Sequence, residues 1–305
     1  MIRLDAEKTA AVLPFDLLAD MLADILVKKR LGRVSAPARL YLPLPGGVLL
    51  VMPSTDGDIV AVKRITVHSG NPAQGLPAIQ GEVTVAVAAT GEPVLALDGP
   101  TVTSRRTAAL SLLAARLLAQ DAKGPLLVVG AGVQATAHAL AFLEGLGVRD
   151  FFVTSRTESK TRALAGMLRE KGATAEVVAL RHIENALERT PLVVTATTSR
   201  EPVLPSKARD DVFVSAVGSF TPEAAELPAD MVRSARIYVD DLEAASAGAG
   251  DLLRAGVDMS AVIPLERIVD ATPVRTGLES GPVVFKTVGH ALFDLAAARL
   301  AMTAL

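Results

Sequence analysis

The stretch Leu126-Leu-Val-Val-Gly130-Ala-Gly132-Val-Gln134-Ala135 constrains this chain more than any other. A short apolar run ends in Gly-x-Gly-x-x-Ala, and an apolar helical pattern follows at once. That order opens a dinucleotide-binding βαβ unit. Gly130 permits the tight turn out of the strand. Gly132 lets backbone approach a pyrophosphate, and Ala135 lets the helix pack close to the sheet, as a third glycine would. The first N–H groups of the helix and its positive dipole end then face the phosphates. The bland alternative is a tight strand–helix turn that binds nothing.

The surrounding chain supplies the context this motif needs. From residue 125 short apolar strands alternate with helices. Strands are expected at 126–129, 151–154, 175–178, 192–195, 212–217 and 236–239, and helices at 134–146, 157–171 and near 182–189. This alternation predicts an α/β fold with a Rossmann doubly wound parallel sheet. Residues 36–98 instead set short apolar runs between turn residues, at 38–42, 48–52, 59–66, 82–88 and 94–97, which predicts a mostly antiparallel sheet. A long loop is expected over 67–77, and helices flank this block at 14–30 and 105–119. Past residue 240 come Ala/Gly-rich turns, the run Pro282-Val-Val-Phe-Lys-Thr-Val-Gly289, and a helix at 291–301 that can return to the first domain. The expected division is a first domain over 1–119 joined by 283–305, with the Rossmann domain over 120–282.

Composition narrows the function classes. Hydrophobic residues make up 50% of the 305 and aromatics 3%, so a sizeable core must be packed with Ala, Val and Leu. A net charge of -2 argues against nucleic acid or an anionic membrane as partner. The chain has no cysteine, which excludes disulfides, thiolate catalysis and Cys-ligated zinc. No apolar run approaches a membrane span, and the early Asp5 and Glu7 do not resemble a signal peptide. A soluble cytoplasmic protein is the expectation. None of His68, His138, His182 and His290 has a partner at metal-ligand spacing, so no metal is expected. His138 reads as a packing or surface residue of the dinucleotide helix; His68 and His290 could shuttle a proton.

The second parallel strand runs into Thr154-Ser155-Arg156-Thr157, with no carboxylate before Glu158. An acid at that point holds the ribose 2′-hydroxyl of NAD. Ser155 and Arg156, with Lys160 and Arg162 behind, can instead bond and neutralise a 2′-phosphate. NADPH is therefore the expected cofactor, with NADH as the other option. Against this, Arg156 can be a solvated loop cation or stack on the adenine. In the first block, Arg106 sits at the expected start of an apolar helix, where a cation opposes the dipole unless an anion binds beside it; the alternative is that it points into water. Arg39 opens one expected strand, and Lys63 lies within another. Charges are seldom fully buried without a partner. Two or three cations converging beside a nicotinamide would hold a substrate carboxylate, with Arg suited to a bidentate grip.

Taken together, the motifs resemble the ornithine cyclodeaminase/mu-crystallin family across essentially the whole chain. The matching pieces are Arg39, Met52-Pro53, the Lys63 strand, Asn71-x-x-x-Gly75-Leu-Pro77, Thr90-Gly91-Glu92-Pro93 and Arg106-Thr107-Ala108-Ala109. They continue with Gly130-Ala-Gly132-x-Gln134-Ala135, Thr195-Ala-Thr-Thr-Ser199 and Phe285-Lys-Thr-Val-Gly289. The resemblance implies a substrate-binding and dimerisation domain formed by both termini, a Rossmann domain between, and a homodimer. It implies that Arg39, Lys63 and Arg106 hold the substrate carboxylate. It also implies that Thr84, Arg106, Thr107, Gly130, Gly132, Val133, Gln134, Ser155, Arg156, Thr197, Val217, Gly218, Ser219, Thr287 and Val288 line the cofactor. Cyclodeaminases of this family carry a catalytic Asp where this chain has Phe220, in Gly218-Ser219-Phe220-Thr221-Pro222. Phe cannot move a proton to or from an amine. The Gly-Ser-Phe-Thr-Pro form resembles the ketimine reductases, in particular those of Δ1-pyrroline-2-carboxylate. On that reading Phe220 packs the apolar ring of a small imino acid, and Lys63 is the catalytic candidate for proton delivery, with a bound water as rival. Ornithine cyclodeaminase and a non-catalytic NADPH-binding crystallin-like protein remain the alternatives.

Overall fold

A computed structural model describes residues 1–270 and 281–305. The chain divides into two units: Met1–Arg106 with His290–Leu305, and Thr107–Gly289.

In the first unit, β1 (Ile2–Arg3), α1 (Ala6–Ala11) and α2 (Phe15–Arg30) precede β2 (Leu40–Leu44), β3 (Gly47–Thr55), β4 (Ile59–Val67), β5 (Ile79–Val87) and β6 (Pro93–Asp98). They form one sheet in the order β1-β6-β5-β4-β3-β2, antiparallel everywhere except β1 with β6. Along β4, Ile59, Ala61, Lys63 and Ile65 are buried and alternate with more exposed neighbours. Period two thus puts one lysine on the core face among apolar residues. Against the sheet, α2 buries Phe15, Leu18, Leu22, Ile25 and Leu26 at helical spacing, and it packs with the C-terminal helix Ala291–Thr303, which also contacts β3, β4 and β5. The edge strand β2 exposes Leu40, Tyr41 and Leu42 at 54%, 64% and 49%.

Next comes α3 (Gly99–Leu118), which carries the chain from the first unit into the second. It starts six residues before the expected 105. Asp98-Gly99-Pro100 reads as a bend, but Asp98 Oδ1 accepts the Thr101 N–H at 2.8 Å and proline suits a first helical turn. Arg106 therefore lies two turns inside the helix rather than at its start, and the dipole argument for it falls away.

The second unit runs β7 (Leu126–Val129), α4 (Val133–Gly145), β8 (Asp150–Thr154), α5 (Glu158–Glu170), β9 (Thr174–Val177), α6 (Ile183–Leu187), β10 (Leu192–Thr195) and β11 (Phe213–Ala216). After these come α7 (Ala229–Ser234), β12 (Arg236–Val239), α8 (Leu242–Gly248), α9 (Gly250–Ala255), β13 (Ile263–Pro264) and β14 (Val283–Lys286); the C-terminal helix is α10. The sheet is parallel throughout, in the order β13-β12-β14-β11-β10-β7-β8-β9. Succession reverses between β7 and β10, which places the crevice of a doubly wound sheet at their carboxyl ends.

Two expectations need correcting. Residues 283–286 pair between β11 and β12 as a parallel strand, so they belong to the Rossmann sheet and not to the terminal domain. The seams fall at 106/107 and 289/290 instead of 119/120 and 282/283. Residues 242–255, read as turns from their Ala/Gly content, form α8 and α9. Small residues serve close packing there: a Cβ on Gly248 would lie 2.9 Å from Phe220 O, and one on Gly250 would lie 2.0 Å from Ala224 O. Of the expected Rossmann range, 271–280 lies outside the described residues.

Truncating Leu22, fully buried on α2, to Ala should cost about 2–5 kcal/mol. Urea denaturation of the Leu22→Ala variant checks this.

Candidate functional site

In the first unit, chain alternation and one helix assemble a buried charged group. Lys63 on β4 is 1% exposed and sits opposite Met52 on β3 and Val83 on β5. Its Nζ donates to Asp294 Oδ1 at 3.0 Å and lies 2.9 Å from Oδ2. Arg106 on α3 places Nε 3.4 Å from the same carboxylate, with its guanidinium 5.9 Å from the centre of the Phe293 ring. Asp294 on α10 is fully buried. The adjacent Arg105 turns elsewhere, donating to Leu13 O at 2.6 Å and stacking on Phe15. Arg39, half-buried just ahead of β2, is near enough for its charge to act on Lys63. Burial pushes the Lys63 ammonium down to about 8, and Arg106 and Arg39 push the same way; the Asp294 charge and hydrogen bond oppose them. The sequence-predicted cations therefore share one set of electrostatic neighbours. Asp294 escaped sequence reading, although a lone carboxylate in the apolar run Ala-Leu-Phe-Asp-Leu-Ala is a usable signal.

Thr84 lies on β5 with its hydroxyl donating to Val62 O at 3.4 Å.

In the second unit the glycine turn has the geometry its sequence predicts. Gly130 has φ +123°, and a Cβ there would lie 2.4 Å from Ala196 O. Strands β7 and β10 thus leave the sheet in backbone contact at the switch point. Ala135 is fully buried. At Gly132, by contrast, a Cβ would meet nothing within 4 Å, and no side chain caps α4. Val133, the first helical residue, is 72% exposed. Gln134 Oε1 and Thr154 Oγ1 are buried and find no hydrogen-bond partner among the described residues. Open space, an uncapped helix start and orphaned polar atoms fit a bound dinucleotide phosphate. At the end of β8, the Ser155 hydroxyl donates to Thr157 O, and exposed Arg156 donates to Thr198 Oγ1 at 3.2 Å. Arg162 pairs with Glu158.

The carboxyl-end loops that carry Thr197, Val217, Gly218, Ser219, Thr287 and Val288 are pinned by buried acids to which the sequence reading gave no role. Glu226 accepts from Thr197 N at 2.7 Å, Gly218 N at 2.6 Å and Thr195 Oγ1 at 2.9 Å. Burial pushes its carboxyl up, with Lys286 opposing. Asp251 accepts from Ser219 Oγ, Glu226 N and Leu227 N and lies 3.1 Å from Lys286 Nζ. Asp240 accepts from Thr287 Oγ1 and from Val288 and Gly289 N. Thr107, on α3, is buried, and Phe220 is 58% exposed.

His138 is buried. Its Nδ1 faces Gln134 O at 2.7 Å, so that nitrogen holds the proton, and Nε2 accepts from the Ser111 hydroxyl at 2.9 Å. Burial pushes this ring down to about 4, so it is neutral and packs α4 rather than shuttling protons. His290 caps α10 through Leu292 N. Among the described residues no acid, His or Cys cluster could hold a metal, and no helix is long and apolar enough to cross a membrane.

A family model, that of ornithine cyclodeaminase/mu-crystallin, matches residues 3–303. The chain belongs to this family. A Δ1-pyrroline-2-carboxylate/Δ1-piperideine-2-carboxylate reductase of Azospirillum brasilense is 40% identical over 302 residues, covering 99% of this chain and 95% of the relative. The mouse ketimine reductase mu-crystallin is 31% identical, covering 88% and 85%. Among solved structures, the Thermococcus litoralis Δ1-pyrroline-2-carboxylate reductase in complex with NADH and L-proline superposes with a TM-score of 0.91 at 25% identity, covering 99% and 97%.

The two glycines should separate on substitution. Gly130→Ala, strained and blocked by Ala196 O, should lose about 1–3 kcal/mol. Gly132→Ala, in open space, should stay within about 0.5 kcal/mol of the parent. Urea denaturation of both variants reads the difference.

Proposed function

We propose that this chain is an NAD(P)H-dependent ketimine reductase that converts Δ1-pyrroline-2-carboxylate to L-proline and also accepts the six-membered Δ1-piperideine-2-carboxylate, giving L-pipecolate. The observation that carries this reading is the buried group in the first unit, where Lys63 and Arg106 share the single carboxylate of Asp294. Two cations against one anion leave a positive charge in a dry place, and a substrate carboxylate neutralises it. Relatives named as reductases of these imines support the substrate class.

The chemistry asks little of the side chains. A cyclic imine takes up one proton to become an iminium ion. Bound NAD(P)H supplies the hydride that adds to the iminium carbon, and the C=N π pair moves to nitrogen, giving the secondary amine. Arg39, Lys63 and Arg106 hold the carboxylate and orient the ring. Lys63, poised near 8, holds a proton at Nζ that it can give to the imine nitrogen. Phe220 stands where the cyclodeaminases resembled carry a catalytic Asp, so ornithine cyclisation, which needs an acid to handle the departing ammonia, is not the reading. Gly132 and the α4 N-terminus take the pyrophosphate. Exposed Arg156, with no acid at the end of β8, favours NADPH over NADH.

The substrate-binding unit also offers a pairing surface. Leu40, Tyr41 and Leu42 lie exposed on an edge strand, which single chains rarely leave long and apolar. A second copy of this chain covering that strand makes a homodimer.

Purified protein should consume NADPH when given the five-membered imine. Arg39→Ala should lower kcat/KM for it by about 10–100-fold while leaving NADPH affinity unchanged, the worth of one charge-assisted carboxylate contact. An unchanged kcat/KM would remove Arg39 from the site. In light scattering, the parent should be dimeric and a Tyr41→Asp variant should shift toward monomer.

A further inference from the structure

We propose that Asp294 is the positioning residue of the anion site: it holds the Lys63 ammonium and the Arg106 guanidinium toward an incoming carboxylate. The inference rests on reading the first unit as the imino-acid site. Asp294 itself touches two cations and no space for a ligand is needed at its oxygens, so it acts through its partners.

Three observations converge on this role. First, Asp294 bridges elements distant in sequence: Lys63 is on β4, Arg106 on α3 and Asp294 in the first turn of α10. A helix start favours a negative charge. Second, among the described residues Asp294 is the anion acting on Lys63. The strands on either side present Met52 and Val83, α2 presents Leu18, Leu22, Ile25 and Leu26 to the core, and the charged groups acting on Lys63 are Asp294, Arg106 and Arg39. Third, the signs are unequal. Burial, Arg106 and Arg39 all push Lys63 toward the neutral amine, and Asp294 alone among these pushes it back. An opposite charge at this range shifts a titration by about 1–3 units. Without it, the Lys63 equilibrium shifts toward the neutral amine. The site then loses both a carboxylate-binding cation and the proton for the imine nitrogen. Since the protonated form is the active one, kcat/KM falls as pH rises through the Lys63 midpoint of the free enzyme.

The test follows Lys63 in the whole protein by NMR of 13Cε-labelled lysine without ligand, alongside kcat/KM for the five-membered imine from neutral to alkaline pH. In the parent, Lys63 should titrate at about 8. In Asp294→Asn the resonance midpoint and the alkaline limb of kcat/KM should both move down by about 1–3 pH units. A folded Asn variant with an unmoved Lys63 midpoint overturns the proposal, because a packing role would cost stability and leave the titration alone. If the Asn variant does not fold, Asp294→Glu decides: it keeps the charge but displaces it, so the midpoint should hold near the parent value while KM for the imine rises about tenfold. A KM at the parent value overturns the positioning role. Absence of turnover with any imine would sink the substrate reading while leaving the ligand-free titration to judge Asp294.

Discussion

The carboxylate of Asp294 inside the first unit is the contact on which the site depends. Lys63 and Arg106 are both nearly inaccessible to water, and each reaches it across a sheet or helix boundary. A buried ion pair of this kind adds little net stability over apolar residues of the same volume, yet losing one partner costs about 3–5 kcal/mol. A fold that sought stability alone would fill this place with leucine. Two cations held by one acid fit the proposed arrival of a substrate carboxylate that completes the set.

The second unit uses the same device for a different purpose. There the buried acids Glu226, Asp240 and Asp251 bind mostly backbone N–H groups and hydroxyls at the carboxyl edge of the parallel sheet. Lys286, from within β14, neutralises Asp251 and donates to Ala216 O. The loops after β10, β11 and β14 are therefore tied to one another and not left to solvent. Loops held this way keep their shape before any ligand comes, which is what a hydride transfer controlled by positioning requires. His138, Ser111 and Ser215 extend the ties beneath α4 with neutral groups.

Much of the fold was legible, and for local reasons. Strands β7, β10 and β12 match their expected ranges because each is a short, mostly apolar run bounded by turn chemistry. The Gly130 turn was legible because a residue with a Cβ does not fit φ +123° so close to the Ala196 carbonyl. The errors also have local causes. Asp98-Gly99-Pro100 signals a bend and a helix start in the same letters, which hid the first two turns of α3. Ala and Gly in 242–255 signal a loop unless a neighbouring backbone approaches, as Phe220 O and Ala224 O do. The run at 283–286 is apolar enough for a central strand, but its partners β11 and β12 are far away in sequence.

The sequence by itself determined the two kinds of sheet, the glycine turn at 130–135, the missing acid after β8, and the cations Arg39, Lys63 and Arg106 as a set worth watching. These are legible because periodicity, glycine geometry and charge in an apolar run act over a few residues. Only the tertiary structure decided that Lys63 and Arg106 meet at Asp294, more than 180 residues further along the chain, and that Glu226 clasps the loops after β10 and β11. Whether a buried charge is a fault or a site depends on which opposite charge the fold brings beside it. That choice is made by packing between distant segments, where sequence spacing carries no distance.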